Sequence, residues 1–82
     1  MKKKNRAYYE ELFADYPDVV ILPEFRQMLG GIGDSTARKL MQSGIIQRFY
    51  IRSTYFIPKV SVIDYVLSKH YAKYRKSLKV RV

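Results

Sequence analysis

Three of the four residues Gly30, Gly31, Ile32 and Gly33 are glycine, and they separate two stretches with the apolar spacing of helices. Upstream, Pro23 suits a first helical turn, where its missing N–H costs nothing. Phe25, Met28 and Leu29 then fall on one inward face, so a helix is predicted over Pro23–Leu29. Downstream, Ala37, Leu40 and Met41 stand at i, i+3, i+4 and predict a second helix, Asp34–Gln42. Asp34 or Ser35 can cap its start and Gly44 can end it. Ser35, Thr36, Arg38, Lys39 and Gln42 are left outside. The glycines Gly30, Gly31 and Gly33 thus predict a sharp turn between two helices, because such a turn needs positive φ or close backbone approach.

A glycine cluster before a helix can also cradle phosphate, but the residues here do not suit that use. A nucleotide P-loop needs Gly-Lys-Ser/Thr at the helix start. Here Asp34 follows Gly33, and its carboxylate repels a phosphate. A dinucleotide fingerprint fails at its third glycine, which is Thr36. Catalytic chemistry has no better footing. His70 falls on an apolar stripe, where a packed histidine is the ordinary reading. Asp34, Ser35 and Thr36 belong to a helix start, where such side chains satisfy free backbone N–H groups. No catalytic residue, no enzyme activity and no cofactor are expected.

The remaining chain completes a small α+β pattern. Tyr9, Leu12, Phe13 and Tyr16 recur at helical spacing, so Arg6–Tyr16 reads as a helix that Pro17 ends. Asp18–Leu22 is a short apolar link, too short to assign. Ile45–Ile51 and Tyr55–Ile57 are rich in β-formers, with Arg52, Ser53 and Thr54 as a three-residue turn. They predict a two-stranded hairpin with a basic tip. From Ser61 onward Ile63, Val66, Leu67, His70, Tyr71 and Tyr74 make one stripe of a long final helix. Lys69, Lys73, Arg75 and Lys76 lie off that stripe.

The totals fit one domain: a basic tail at 1–5, a folded unit at 6–77 and a frayed end at 78–82. Hydrophobic residues make up 48% and aromatics 15%, enough for a core. With no cysteine and one histidine, neither disulfides nor a metal site is expected. Met1–Arg6 is basic but no apolar run follows it, so no secretory leader is expected. No segment approaches the roughly 18 apolar residues of a membrane span. A cytoplasmic protein with no membrane partner is the expectation.

The charge is unevenly placed. Sixteen Lys and Arg oppose seven Asp and Glu, for a net +9. Residues 1–34 carry a net −1 and residues 35–82 a net +10, with Asp64 as the one acid there. A basic half on a small domain is the electrostatic footprint of a polyanion partner, and nucleic acid is the first candidate.

Two resemblances sharpen this. "MLGGIGDSTARKL" resembles the helix-hairpin-helix pattern of apolar, Gly-x-Gly, then Thr-Ala. That family would present the Gly31–Gly33 backbone N–H groups to a DNA phosphate without reading sequence. More extensively, Tyr16–Leu67 resembles the excisionase-like winged helix-turn-helix proteins of bacterial mobile elements, related to the MerR-type DNA-binding domain. The match runs from "YPDVV" through "SGIIQRFYIRSTYFIPKVSVIDYVL" and needs no gap. It is carried by Gly44, the hairpin length and Ile57-Pro58-Lys59. The chain departs from that family at the wing tip, where Arg52 and Ser53 replace the usual glycine then arginine. It also departs at the first motif helix, where Ile21 replaces a Thr or Ser cap.

The resemblance implies a winged helix-turn-helix with an added N-terminal helix and a long C-terminal one. Ser35, Thr36, Arg38, Lys39 and Gln42 would read a major groove. Arg52, Ser53, Thr54 and Tyr55 would form the wing, with Tyr55 either touching DNA or packing across the hairpin. Such proteins act as excisionases: several copies bind double-stranded DNA side by side, bend it and direct an integrase. A small transcriptional regulator of the same fold is the near alternative. A basic interaction module, using Lys69, Lys73 and Lys76 on an acidic protein or anionic membrane surface, is the distant one.

Overall fold

In the computed structural model, which describes residues 4–74, the glycine turn sits between two short helices, as the spacing predicts. The element order is α1 (Arg6–Leu12), β1 (Val19–Ile21), α2 (Leu22–Met28), α3 (Asp34–Ser43), β2 (Phe49–Ile51), β3 (Thr54–Pro58), α4 (Lys59–Val66) and α5 (Lys69–Tyr74). The result is an α+β unit with one antiparallel sheet in the order β1-β3-β2. The expected ends at 78–82, with Arg75 and Lys76, lie outside the described residues, as do Met1–Lys3 and the side chain of Tyr74.

The core gathers Tyr9 and Phe13, then Phe25, Met28 and Leu29, then Ala37, Leu40 and Met41, all buried. Each trio on α2 and α3 is the face read from the sequence. Ile46 and Ile57 close the core beneath the hairpin, and Val62, Ile63 and Val66 close it from α4.

Several expectations need correction. The first helix stops at Leu12 rather than Tyr16, and Leu12 is exposed. Lys59 accounts for the shape of this end: its Nζ donates to the carbonyls of Phe13 (3.4 Å) and Tyr16 (2.9 Å). The Phe13 carbonyl also accepts from the Tyr16 N–H (3.0 Å), so the lysine cation braces the turn that follows the helix. Asn5, assigned to the basic tail, is the N-cap of α1 and accepts from the Tyr8 N–H.

The link Asp18–Leu22 contains a third strand. Val19, Val20 and Ile21 pair with Pro58, Ile57 and Phe56, so the sheet is three-stranded and not a bare hairpin. β2 is shorter than the predicted Ile45–Ile51, because Ile46 turns into the core before the strand begins. The β2–β3 turn has two residues, Arg52 and Ser53, since Ile51 and Thr54 already pair.

The long final helix is broken. Ser68 ends the run by accepting from the Tyr71 N–H and donating to the Tyr65 carbonyl, the behaviour of a serine N-cap. The break redirects the stripe. Ile63, Val66 and Tyr71 are buried as expected, but Leu67 is 39% exposed and Tyr65 is buried instead. His70 is half-buried, with its Nδ1 3.2 Å from the Tyr65 hydroxyl.

Candidate nucleic-acid interface

The turn before α3 is built by a defined set of backbone bonds. The Gly31 N–H donates to Arg26 O (2.8 Å) and the Gly30 N–H to Gln27 O (3.0 Å). These are the two bonds of a Schellman C-cap, which places its C′ residue in the left-handed region. Gly30 and Gly31 both have φ +84°, so the expected demand for glycine is met at these two positions. Gly33 differs: its φ is −65° and no atom lies within 4 Å of where its Cβ would stand. The turn does not require glycine there. Arg26 braces the loop from α2 by donating from Nε to Ile32 O (3.0 Å).

Neither Asp34 nor Ser35 caps α3; the N-cap is Gly33, with no side-chain bond. Asp34 is the first helical residue and acts as an anchor for cations. Its carboxylate accepts from Arg38 Nε at 2.8 Å and lies 3.9 Å from an Arg26 terminal nitrogen. The bond to Asp34 raises the Arg38 pKa above its ordinary value.

The candidate readers divide clearly on α3. Ser35, Arg38, Lys39 and Gln42 are exposed and stand at i, i+3, i+4 and i+7, so they share one face. Ala37, Leu40 and Met41 are buried on the opposite face. Thr36 falls between the two and is half-buried. The outward face therefore holds two cations and two short or amide-bearing polar groups.

The β2–β3 hairpin stands beside the start of this helix. Asp34 and Arg38 line one shallow cleft of ≈ 300 Å³ together with Ser53, Thr54, Tyr55 and Pro23. At the tip Arg52 and Ser53 are exposed, with φ of 50° and 64°. Two consecutive positive φ values in a two-residue loop belong to the primed hairpin turns, whose twist matches the strands. Thr54 is half-buried in the strand. Tyr55 packs across the hairpin, half-buried against the core with its ring 4.7 Å from that of Tyr50, and it also lines the cleft. Tyr50 is the residue that the apolar pattern does not single out, a 61% exposed ring on the flank of the hairpin. Its signal was cross-strand register, which depends on the turn length.

Among the described residues no cluster of ligating side chains could hold a metal ion, and no helix is long and apolar enough to cross a membrane. Comparison with protein-family models, curated proteins and solved structures gives no match, so the likeness to excisionase-like proteins stands on the residues alone.

Proposed function

We propose that this chain binds double-stranded DNA as a winged helix-turn-helix, with α3 entering the major groove and the β2–β3 tip lying on the backbone. The observation that carries the reading is the shared cleft, which sets the start of α3 and its Arg38 beside the hairpin residues Ser53 and Thr54. A helix with one exposed polar-basic face and a basic hairpin next to it is the geometry such proteins use to contact groove and backbone together. Arg38, Lys39 and Gln42 supply donors suited to base edges and phosphates, and Ser35 suits a backbone oxygen. Arg52 supplies the charge at the tip.

One observation favours this over the helix-hairpin-helix alternative. Of the Gly31–Gly33 N–H groups which that alternative would offer to a phosphate, the first is already spent on the Arg26 carbonyl, as the Gly30 N–H beside it is on that of Gln27. Their work is to turn the chain. Within the DNA-binding reading, the resemblance of Tyr16–Leu67 favours an excisionase that cooperates with an integrase and further copies of itself, ahead of a transcriptional regulator.

The test is a titration of wild type, Arg38→Ala, Lys39→Ala and Lys69→Ala against cognate duplex from the same mobile element and scrambled duplex, at two salt concentrations. Generic attraction falls steeply with salt and ignores sequence. A read base adds roughly 1–3 kcal/mol of discrimination. Arg38→Ala or Lys39→Ala is expected to flatten the cognate preference, whereas Lys69→Ala weakens both duplexes alike or not at all. Unchanged preference in both helix variants would remove α3 as the reader. Dependence of integrase-driven excision on the chain separates excisionase from regulator.

A further inference from the structure

Among the described residues no element covers the outer face of the sheet. Paired residues share a face, so Ile21, Phe56 and Phe49 form one cross-strand row, and alternation adds Val19 and Ile51 to it. Val20 and Ile57 point the other way, into the core. On the outer face Phe49 is 51% exposed, Ile51 55%, Val19 49% and Ile21 39%. None of these outward residues is charged. β2 is also an edge of the sheet, so its second row of backbone N–H and C=O groups has no strand partner among the described residues. Apolar edges of this kind are normally guarded, because they invite another strand.

Arg48 and Arg52 bracket β2 at its two ends, and neither has an ion-pair partner among the described residues. In a symmetric antiparallel pairing of two β2 strands centred on Tyr50, Arg48 of each copy would oppose Arg52 of the other. Like charges directly opposite are destabilising, and each copy brings a further net +9. A second copy is therefore a poor occupant. A single-stranded nucleic acid would want aromatic rings and cations on the face, yet three of its four exposed large apolar side chains, Val19, Ile21 and Ile51, are aliphatic.

We propose that β2 receives an extended, acidic, apolar-alternating segment of a partner protein as a fourth strand. Backbone bonds to β2 would give affinity, and Phe49 and Ile51 would pack its apolar side chains. Arg48 would hold the acidic end. Arg52 is shared with the DNA reading, whereas Phe49, Ile51 and Arg48 are not, so the two ideas fail separately.

The probe is a fluorescein-labelled peptide, Asp-Glu-Val-Thr-Ile-Thr-Val-Glu, followed by anisotropy with the full chain and no DNA. Its counterpart with lysine at every acidic position is expected to bind at least tenfold more weakly. The double variant Phe49→Thr/Ile51→Thr keeps β-forming residues at exposed sites; it is expected to lose at least tenfold of acidic-peptide binding while melting and duplex-DNA affinity stay unchanged. Arg48→Glu should narrow the preference between peptides. On the wild-type chain, amide exchange at 49–51 should slow when the acidic peptide is added, an outcome that no misfolded variant can mimic. Equal binding of the two peptides, or no slowing at 49–51, overturns the proposal. So does a concentration-dependent dimer, or binding of an oligothymidine, that the double variant abolishes; these outcomes give the face to a second copy or to single-stranded nucleic acid.

Discussion

Arg52 and Ser53 hold positive φ without being glycine, which costs an ordinary residue roughly 1–2 kcal/mol each in the left-handed region. Glycine there carries its own unfolded-state entropy, about 0.5–1 kcal/mol. Ser53→Gly is therefore expected to stabilise the chain by about 0.5–1 kcal/mol, read as a rise in thermal midpoint. Arg52→Gly should stabilise comparably yet weaken DNA binding, because it removes the charge at the tip. The paired measurement separates strain from function: equal DNA affinity in both variants would show that Arg52 makes no contact. Gly33 presents the reverse case. Its backbone is ordinary and its surroundings are open, so Gly33→Ser should supply the missing cap of α3. The gain should be a few tenths of a kcal/mol up to about 1 kcal/mol in denaturant unfolding. Gly30→Ala, at φ +84°, should instead destabilise by roughly 1–2 kcal/mol.

Among the elements, α1 and α4 are joined by two side chains that pattern reading cannot place. Lys59 reaches the end of α1, and Arg6 pairs with Asp64 of α4 on the surface. Exposed pairs of the second kind are worth little. The half-buried lysine bonded to two carbonyls is worth more, and Lys59→Met is expected to cost about 1–3 kcal/mol in denaturant unfolding. It should leave DNA affinity untouched. The α4–α5 joint gives a pH signature. Burial raises the Tyr65 pKa to about 12, against 10.0 for the free side chain. The folded state thus prefers the neutral phenol, so its contribution is intact below pH 10 and is lost as pH rises from 10 towards 12. Tyr65→Phe should flatten that part of the stability profile.

These joints also show what was legible. The buried faces of α2 and α3, the glycine turn and the hairpin all follow from local spacing, which a single helix or strand satisfies by itself. β1 was not legible, because three residues become a strand only by pairing with a partner 37 residues along the chain, Val20 with Ile57. The break at Ser68 was hidden because the apolar spacing continues through it; only the serine's capping bonds separate α4 from α5. Leu67 was expected inside for the same reason, and as an exposed residue its change to alanine should now cost no more than about 0.5 kcal/mol. Phe25→Ala, in the core, should cost about 3–5 kcal/mol. On the candidate interface the stripe Ser35, Arg38, Lys39 and Gln42 was legible, but the tie of Arg38 to Asp34 and the inward packing of Tyr55 were not. Both depend on rotamers and register that spacing leaves open.

For the whole molecule the dominant quantity is charge. A net +9 on 82 residues repels itself in the compact state, and the described ion pairs engage only Asp34 and Asp64 among the acids. Salt shortens the range of that repulsion, with a screening length of about 30 Å at 0.01 M and about 10 Å at 0.1 M. Adding sodium chloride over this interval should therefore raise the thermal midpoint of the free chain. The same addition should weaken binding to any duplex, because released counterions lose their entropic advantage as bulk salt rises. The two responses have opposite signs and one cause, the unbalanced cations of residues 35–82. Asp34→Asn probes their link at a single position. It removes a carboxylate that holds Arg38 and Arg26, so it should cost about 0.3–1 kcal/mol of stability through the lost helix pair and first-turn acid. It should also strengthen duplex binding, since Arg38 no longer has to leave a partner and a repelling charge has gone from the cleft. A chain that melts lower in added salt has a fold governed by its few ion pairs rather than by its excess charge. An Asp34→Asn variant that binds duplex more weakly than wild type places Arg38 on the protein's own helix, with Asp34 holding the α3 start that the DNA requires.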